Sequence, residues 1–398
     1  MTALPNNSTG KSKYDLTLLE LFFDLVFAFA VSQLSQHLLL HLSWHGAAET
    51  LVLLLTVLTV WSYTSWAVTM IHSAVARTGG LLLSVMLLGL FMNASITRAF
   101  TTSGWAFVIP LLLIQLGRTL WTILRAPDAG NREHYVRVLV WFLFTTPLWI
   151  TGAAGNAESR ALWWGAAAGL ELIATWFAHP IPGRRLQSEN VAFDGDHMLE
   201  RCRMFLLIAL GETVLTTGTA ISQSPLTLMT LVTGTSAFVG TTALWGLSFG
   251  RAHTLILRHL EETCDPIRAS RHAVNVLMIL VTGLIAVAVA NKMVIASPQS
   301  LANGAALNLM LFGGPILFLL AQSWYLRTVL HVSPRLPLIG SASLLIGGLV
   351  TWRTPPYVAL VVASAVLVII VLFDQSAITR DHDQEENSQD GTQANQPR

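Results

Sequence analysis

The hydrophobic positions of this chain fall in long unbroken runs separated by short polar joints. Each run is about 20 residues, enough for a helix to cross roughly 30 Å of hydrocarbon. The pattern predicts twelve α-helical spans. Six lie at roughly 18–40, 48–72, 79–98, 103–124, 134–152 and 160–179. Six more lie at roughly 198–220, 225–249, 271–293, 301–326, 336–352 and 356–373.

Composition sharpens this picture. The 398 residues are 53% hydrophobic and 11% charged, whereas a soluble domain carries roughly 25% charged residues. Mean hydropathy is +0.58. The expected fold class is therefore an all-α integral membrane protein with the lipid bilayer as a partner. A net charge of +1 gives no case for nucleic acid as a second partner. The polar N-terminus contains no cleavable signal peptide, so the first helix is expected to act as an uncleaved insertion signal.

Charge also predicts orientation. With a cytoplasmic N-terminus, 18 of the 23 Lys and Arg fall in inside segments and Arg118 falls within the fourth span. Only Arg98, Arg160, Lys292 and Arg353 fall outside, as the positive-inside rule requires. Both termini are then cytoplasmic, and the compartment is the bacterial inner membrane. Trp44, Trp105, Trp163, Trp164 and Trp352 sit at expected outer ends, and Trp121, Trp176 and Trp324 at inner ends, as interfacial belts do. Cys202 and Cys264 are too few for a disulfide framework.

The expected segments are a cytoplasmic N-terminus (1–17), a first six-helix half (18–185), a second (190–373) and a polar, disordered tail (374–398). Sliding Leu19–Ser35 onto Leu199–Leu215 pairs Leu19 with Leu199, Glu20 with Glu200 and Ser32 with Glu212. Asp24 meets Met204, so the acid pair is not reproduced. Two halves entering from the same side would form parallel repeats about an axis along the membrane normal.

The candidate chemistry lies in the first and seventh spans. Glu20 and Asp24 are four residues apart, hence on one helical face. Glu200, Arg201 and Arg203 reach the same membrane boundary. Carboxylates inside a span are costly and normally face protein or a water-filled cavity. One reading is an ion-paired network in which Glu20 and Arg201 join the two helices. The other is a polar inner mouth that attracts a cation. Glu212 lies about 21 Å along the seventh helix from its start, beside Gly211, which permits close helix approach. Arg98 and Arg118 are its only evident cationic partners, and Thr213, Thr216 and Thr217 are within reach.

Lesser candidates are His197 before the seventh span and the series His37, His41 and His45, whose spacing suits one helical stripe. Interfacial histidines without a special role are the plainer reading of that series. Glu171 lies in the sixth span, and Gly313-Gly314-Pro315 in the tenth could unwind a helix and expose ion-binding carbonyls, though a tolerated kink is the plainer reading. No P-loop, HExxH, GxSxG or redox-spaced cysteine pair is present, so no enzyme, catalytic residue, metal or cofactor is expected.

ELFFDLVFAFAVSQLS in the first span and HMLERCRMFLLIALGETVL at His197–Leu215 closely resemble the two signature stretches of the bacterial low-temperature-requirement protein A family. The resemblance implies family acids at Glu20 and Asp24, and a second motif on His197, Glu200, Arg201, Gly211 and Glu212. The family is named for a growth phenotype in the cold, so the resemblance implies no activity. Phe22-Phe23-Asp24 is also similar to the Phe-Ser-Asp motif of two-repeat lysosomal potassium channels, but Arg203-Met204 departs from it in the second half. The functional expectation is movement of a small ion or solute, with proton coupling through Glu212. The alternative is a non-transporting protein that supports the envelope in the cold, with an intramembrane enzyme third. Self-association into a homo-oligomer is compatible with either.

Overall fold

A computed structural model of the protein describes residues 18–70, 75–126, 128–177, 179–181, 194–250, 266–300, 304–330 and 332–394. Most of the expected joint between halves, the loop Pro180–His197, lies outside these residues (182–193), as do the N-terminal segment and Cys264. Long apolar runs become helices because in lipid each backbone polar group must be satisfied within its own segment. In chain order these are α1 (Leu18–Leu40), α2 (Trp44–Met70), α3 (Val75–Ala94), a 3-10 turn (Ile96–Arg98), α4 (Gly104–Arg125), α5 (Ala129–Ala154) and α6 (Ala157–Trp176). They continue with α7 (Gly195–Ser222), α8 (Leu228–Phe249), α9 (Pro266–Ala296), α10 (Gly304–Thr328), α11 (Arg335–Val350) and α12 (Pro356–Ala394). Among the described residues, nine helices are long and apolar enough to cross a membrane. The apolar part of α3 and the whole of α11 are shorter, and α6 carries Glu158, Arg160 and Glu171.

Polar residues set the helix ends. Asp128, Asn156, Asp194 and Thr227 each accept a backbone N–H from the first turn of α5, α6, α7 and α8, supplying partners for donors that a helix start leaves open. Inside α2, Thr50, Thr56, Thr64, Ser65 and Thr69 donate their hydroxyls to the carbonyl four residues back. A helix rich in hydroxyls can thus be buried at little cost.

The packing order is regular. α1 packs on α2 and α3, α3 on α4, α4 on α5, α5 on α6, and α6 returns to α2. α7 packs on α8 and α9, α9 on α10, α10 on α11, α11 on α12, and α12 returns to α8. α1 touches α7, and α9 touches both α1 and α2. Glu20, Thr69 and His197 meet at one end of the bundle, here the basal end. Gln36 and Lys292 meet at the opposite, distal end.

α10 continues unbroken through Pro315, so the Gly-Gly-Pro sequence is tolerated within the helix, and Gly314 serves close packing. A Cβ on Gly314 would lie 2.8 Å from the Gly283 carbonyl of α9, and one on Gly283 would lie 2.6 Å from the Gly314 carbonyl. Trp164 is not interfacial but fully buried. Its indole N–H donates to the Trp149 carbonyl (3.1 Å) and its ring lies against Phe100, Phe107 and Trp149. α12 continues past its apolar run to Ala394. Each residue added to an established helix gains a hydrogen bond without a new nucleation cost.

Candidate functional site

At the basal end, α1, α2 and α7 close around Asp24. One carboxylate oxygen accepts from the Arg201 guanidinium at 2.8 Å and from the Trp61 indole N–H at 2.7 Å. Both charged side chains are completely buried. Arg201 also lies 5.2 Å from the Phe23 ring centroid and 5.9 Å from that of Trp61, a cation held between aromatic faces. Among the described residues, Asp24 Oδ2 and Arg201 Nε and Nη1 have no hydrogen-bond partner.

The expected single network is in fact three separate contacts. Arg201 pairs with Asp24, not Glu20. Glu20 instead faces His197 Nε2 at 3.4 Å, and the other ring nitrogen of His197 meets Thr69 Oγ1 at 3.2 Å. Glu200 turns away to Arg203 on its own helix (3.1 Å), where Arg203 covers Phe249. The reason is helical geometry: Glu200 and Arg201 are adjacent, so their side chains leave α7 in different directions.

Glu212 stands apart. It is half-exposed, on the side of α7 that also exposes Leu207 and Leu215. No described residue bonds to it: Thr213 and Thr217 donate to carbonyls of their own helix, and Arg118 is engaged elsewhere. A Cβ on Gly211 would meet nothing within 4 Å, so no helix approaches closely there. At the distal end, His37 and His45 share the Glu49 carboxylate at 3.3 and 3.2 Å, and His41 bonds back to the His37 carbonyl. Among the described residues no three side chains are arranged to hold a metal.

A second polar centre lies between α2, α4, α5 and α6. Arg118 is fully buried and directs Nη1 to the Val60 carbonyl (3.2 Å) and Thr64 Oγ1 (3.3 Å) of α2. Its guanidinium lies 5.3 Å from the Tyr63 ring and 5.7 Å from Phe142. Glu171, equally enclosed, accepts from Gln115, Thr145 and Trp149 at 2.8–3.0 Å. Three neutral donors replace the water a carboxylate loses on burial.

This centre backs a partly open cavity of about 110 Å³, lined from α2, α5, α6 and α9 and by His179. It runs from Met70 as deep as Thr59, roughly 16 Å along α2. The Tyr63 hydroxyl closes one wall, 2.6 Å from His179 Nε2 and 2.8 Å from Thr175 Oγ1. His179 follows the end of α6 with a positive φ of 54°, a conformation L-residues seldom adopt. Its N–H returns to the Ala174 carbonyl at 2.7 Å, closing the helix end. Burial, then the neighbouring His134, push its pKa down to about 3, so the ring is neutral.

Residue-by-residue reading of the sequence did not find Tyr63, His134, Tyr135, His179, Arg271 or Asn275. They come from three helices and a connecting segment, and no local spacing links them. The available signals were Arg118 and Glu171, two charges within spans.

Nine helices of membrane-crossing length, with charged side chains enclosed between them, define a multi-pass helical membrane protein. The chain belongs to the family described as bacterial low temperature requirement A protein, whose model matches residues 15–372. It is 30% identical over 322 residues to an uncharacterized protein of Rhizobium meliloti (strain 1021), covering 79% of this chain and 78% of that one. No solved structure matches.

Proposed function

We propose that this chain is a solute carrier of the bacterial inner membrane, with twelve spans in two parallel six-helix repeats and both termini cytoplasmic. The repeat is supported by the packing order, in which the main neighbour pairs of α1–α6 recur six helices later, although α2 on α4 has no such counterpart. The basal end is then the cytoplasmic face. The observation that carries the transport reading is the cavity: it enters the bundle from that end and lies where α9 of the second half meets α2, α5 and α6 of the first. Substrate sites of repeat-built transporters lie at such junctions. In this reading Asp24–Arg201 holds α1 and α7 together beside the path, and Glu212, with no described partner, is the residue that couples a proton.

The test is flux through purified protein in liposomes under an imposed pH gradient. Thr59→Phe should fill the inner end of the cavity and abolish uptake while the folded signal persists. Glu212→Gln should preserve binding and remove the dependence on the gradient. Uptake unaffected by Thr59→Phe would sink the reading. The competing function, a non-transporting protein that supports the envelope in the cold, is favoured by the completely buried Asp24–Arg201 brace. It predicts no flux with any solute and a cold-growth defect that tracks stability alone.

A further inference from the structure

We infer that the cavity between α2, α5, α6 and α9 binds a small organic monoanion: a carboxylate with a short apolar body. The inference rests on the reading of that cavity as a solute site and names its ligand class.

The lining has two parts. Its larger part is apolar and aromatic, from Trp66, Met70, Leu172, Ile267, Val274 and Met278. The other part is polar, but among the described residues neither Asp nor Glu lines the cavity. Arg271 is the one cation among the described lining residues, half-buried near the start of α9, and it has no hydrogen-bond or ion-pair partner among them. Tyr135 also lines the cavity, almost completely buried, and its hydroxyl has no partner among them. Nδ1 of His134 and of His179 are likewise buried and unpartnered, and Asn275 lies one turn along α9 from Arg271.

A buried polar group left unmatched costs about 1–3 kcal/mol. Several around one cavity mark a site whose partner is a ligand. Behind Tyr63, Arg118 adds a second fixed positive charge, with Nε and Nη2 unpartnered among the described residues. Glu171 interacts electrostatically with Arg118 and offsets it. One uncompensated cation among the described lining residues, with the neutral His179 imidazole beside it, matches one negative charge rather than two. A cation would meet Arg271 with no carboxylate to receive it. The ligand's size follows from the space. A cavity of roughly 150 Å³ takes benzene, so one of about 110 Å³ encloses a smaller body, about four carbons, with the carboxylate toward Arg271 at the mouth.

The full-length protein in detergent is titrated with butyrate and hexanoate. n-Butylammonium and n-butanol carry the same chain with other head groups, and chloride carries the charge without the chain. Butyrate should bind at least about tenfold more tightly than the amine or the alcohol, the margin set by a charge-assisted hydrogen bond. Arg271→Gln should weaken it about tenfold or more, and Tyr135→Phe by a smaller factor, in protein that still melts cooperatively. Butanol binding as well as butyrate, preference for the amine, or affinity indifferent to both substitutions would each overturn the inference. Chloride competing as strongly as hexanoate would also overturn it, since the apolar body would then contribute nothing. Liposome flux separates the two readings. Carboxylate binding without flux leaves the ligand class standing and removes the carrier. Flux of another solute without carboxylate binding does the reverse.

Discussion

At the scale of single residues, two buried contacts make predictions. The Asp24–Arg201 pair is wholly enclosed, so removing one charge strands the other. Asp24→Asn or Arg201→Met alone should cost roughly 3–5 kcal/mol, whereas the double variant should recover much of that loss. Melting in detergent would show it; singles as stable as the parent would mean water or a ligand compensates the remaining charge. His179 makes a pH prediction. Its folded pKa is about 3, against roughly 6.5 in the unfolded chain. Below pH 6.5 the unfolded state binds a proton that the folded state refuses, so stability falls as pH drops from about 6.5 toward 3. His179→Asn, which tolerates the positive φ, should flatten that slope; an unchanged slope would assign it to other groups. The sequence showed Asp24 and Arg201 because charges inside an apolar run are conspicuous. It could not show that Arg201 chooses Asp24 over Glu20, a choice set by the rotation of α7 against α1. His179 was invisible for another reason: a histidine beside a proline, just past a helix, looks like ordinary loop.

The helices themselves were legible, since each apolar run became one. What the runs could not reveal is contact between them. Gly314 in the tenth span allows α9 and α10 to approach until backbone nearly meets backbone. Gly314→Val should therefore push the helices apart at a cost of about 1–3 kcal/mol or more, read as a lowered melting temperature. Gly211→Val, on a face that nothing approaches, should be nearly silent by comparison. Equal effects would indicate that the two glycines matter only for helix propensity. Arg160 shows the same gap in sequence reading. Counted as an outside charge, it lies buried, donating to the carbonyls of Gly152, Ala99, Thr101 and Gly155, and so completes the end of α5.

For the whole molecule, the basic residues predict orientation: a reporter fused after Arg380 should read as cytoplasmic and one inserted between His41 and Glu49 as external. An external signal from the C-terminal fusion would overturn the even-span arrangement. One feature then acquires a wider meaning. Neighbouring residues of α2 serve two charged centres on opposite sides: Trp61 holds Asp24 beside Arg201, while the Val60 carbonyl and Thr64 hold Arg118. A helix turns as a unit, so α2 is a shared axle. Any rotation that releases the Trp61 indole from Asp24 must also pull the Val60 carbonyl from Arg118 and swing Tyr63 across the cavity wall. Neither centre can then rearrange its charges while the other stays still.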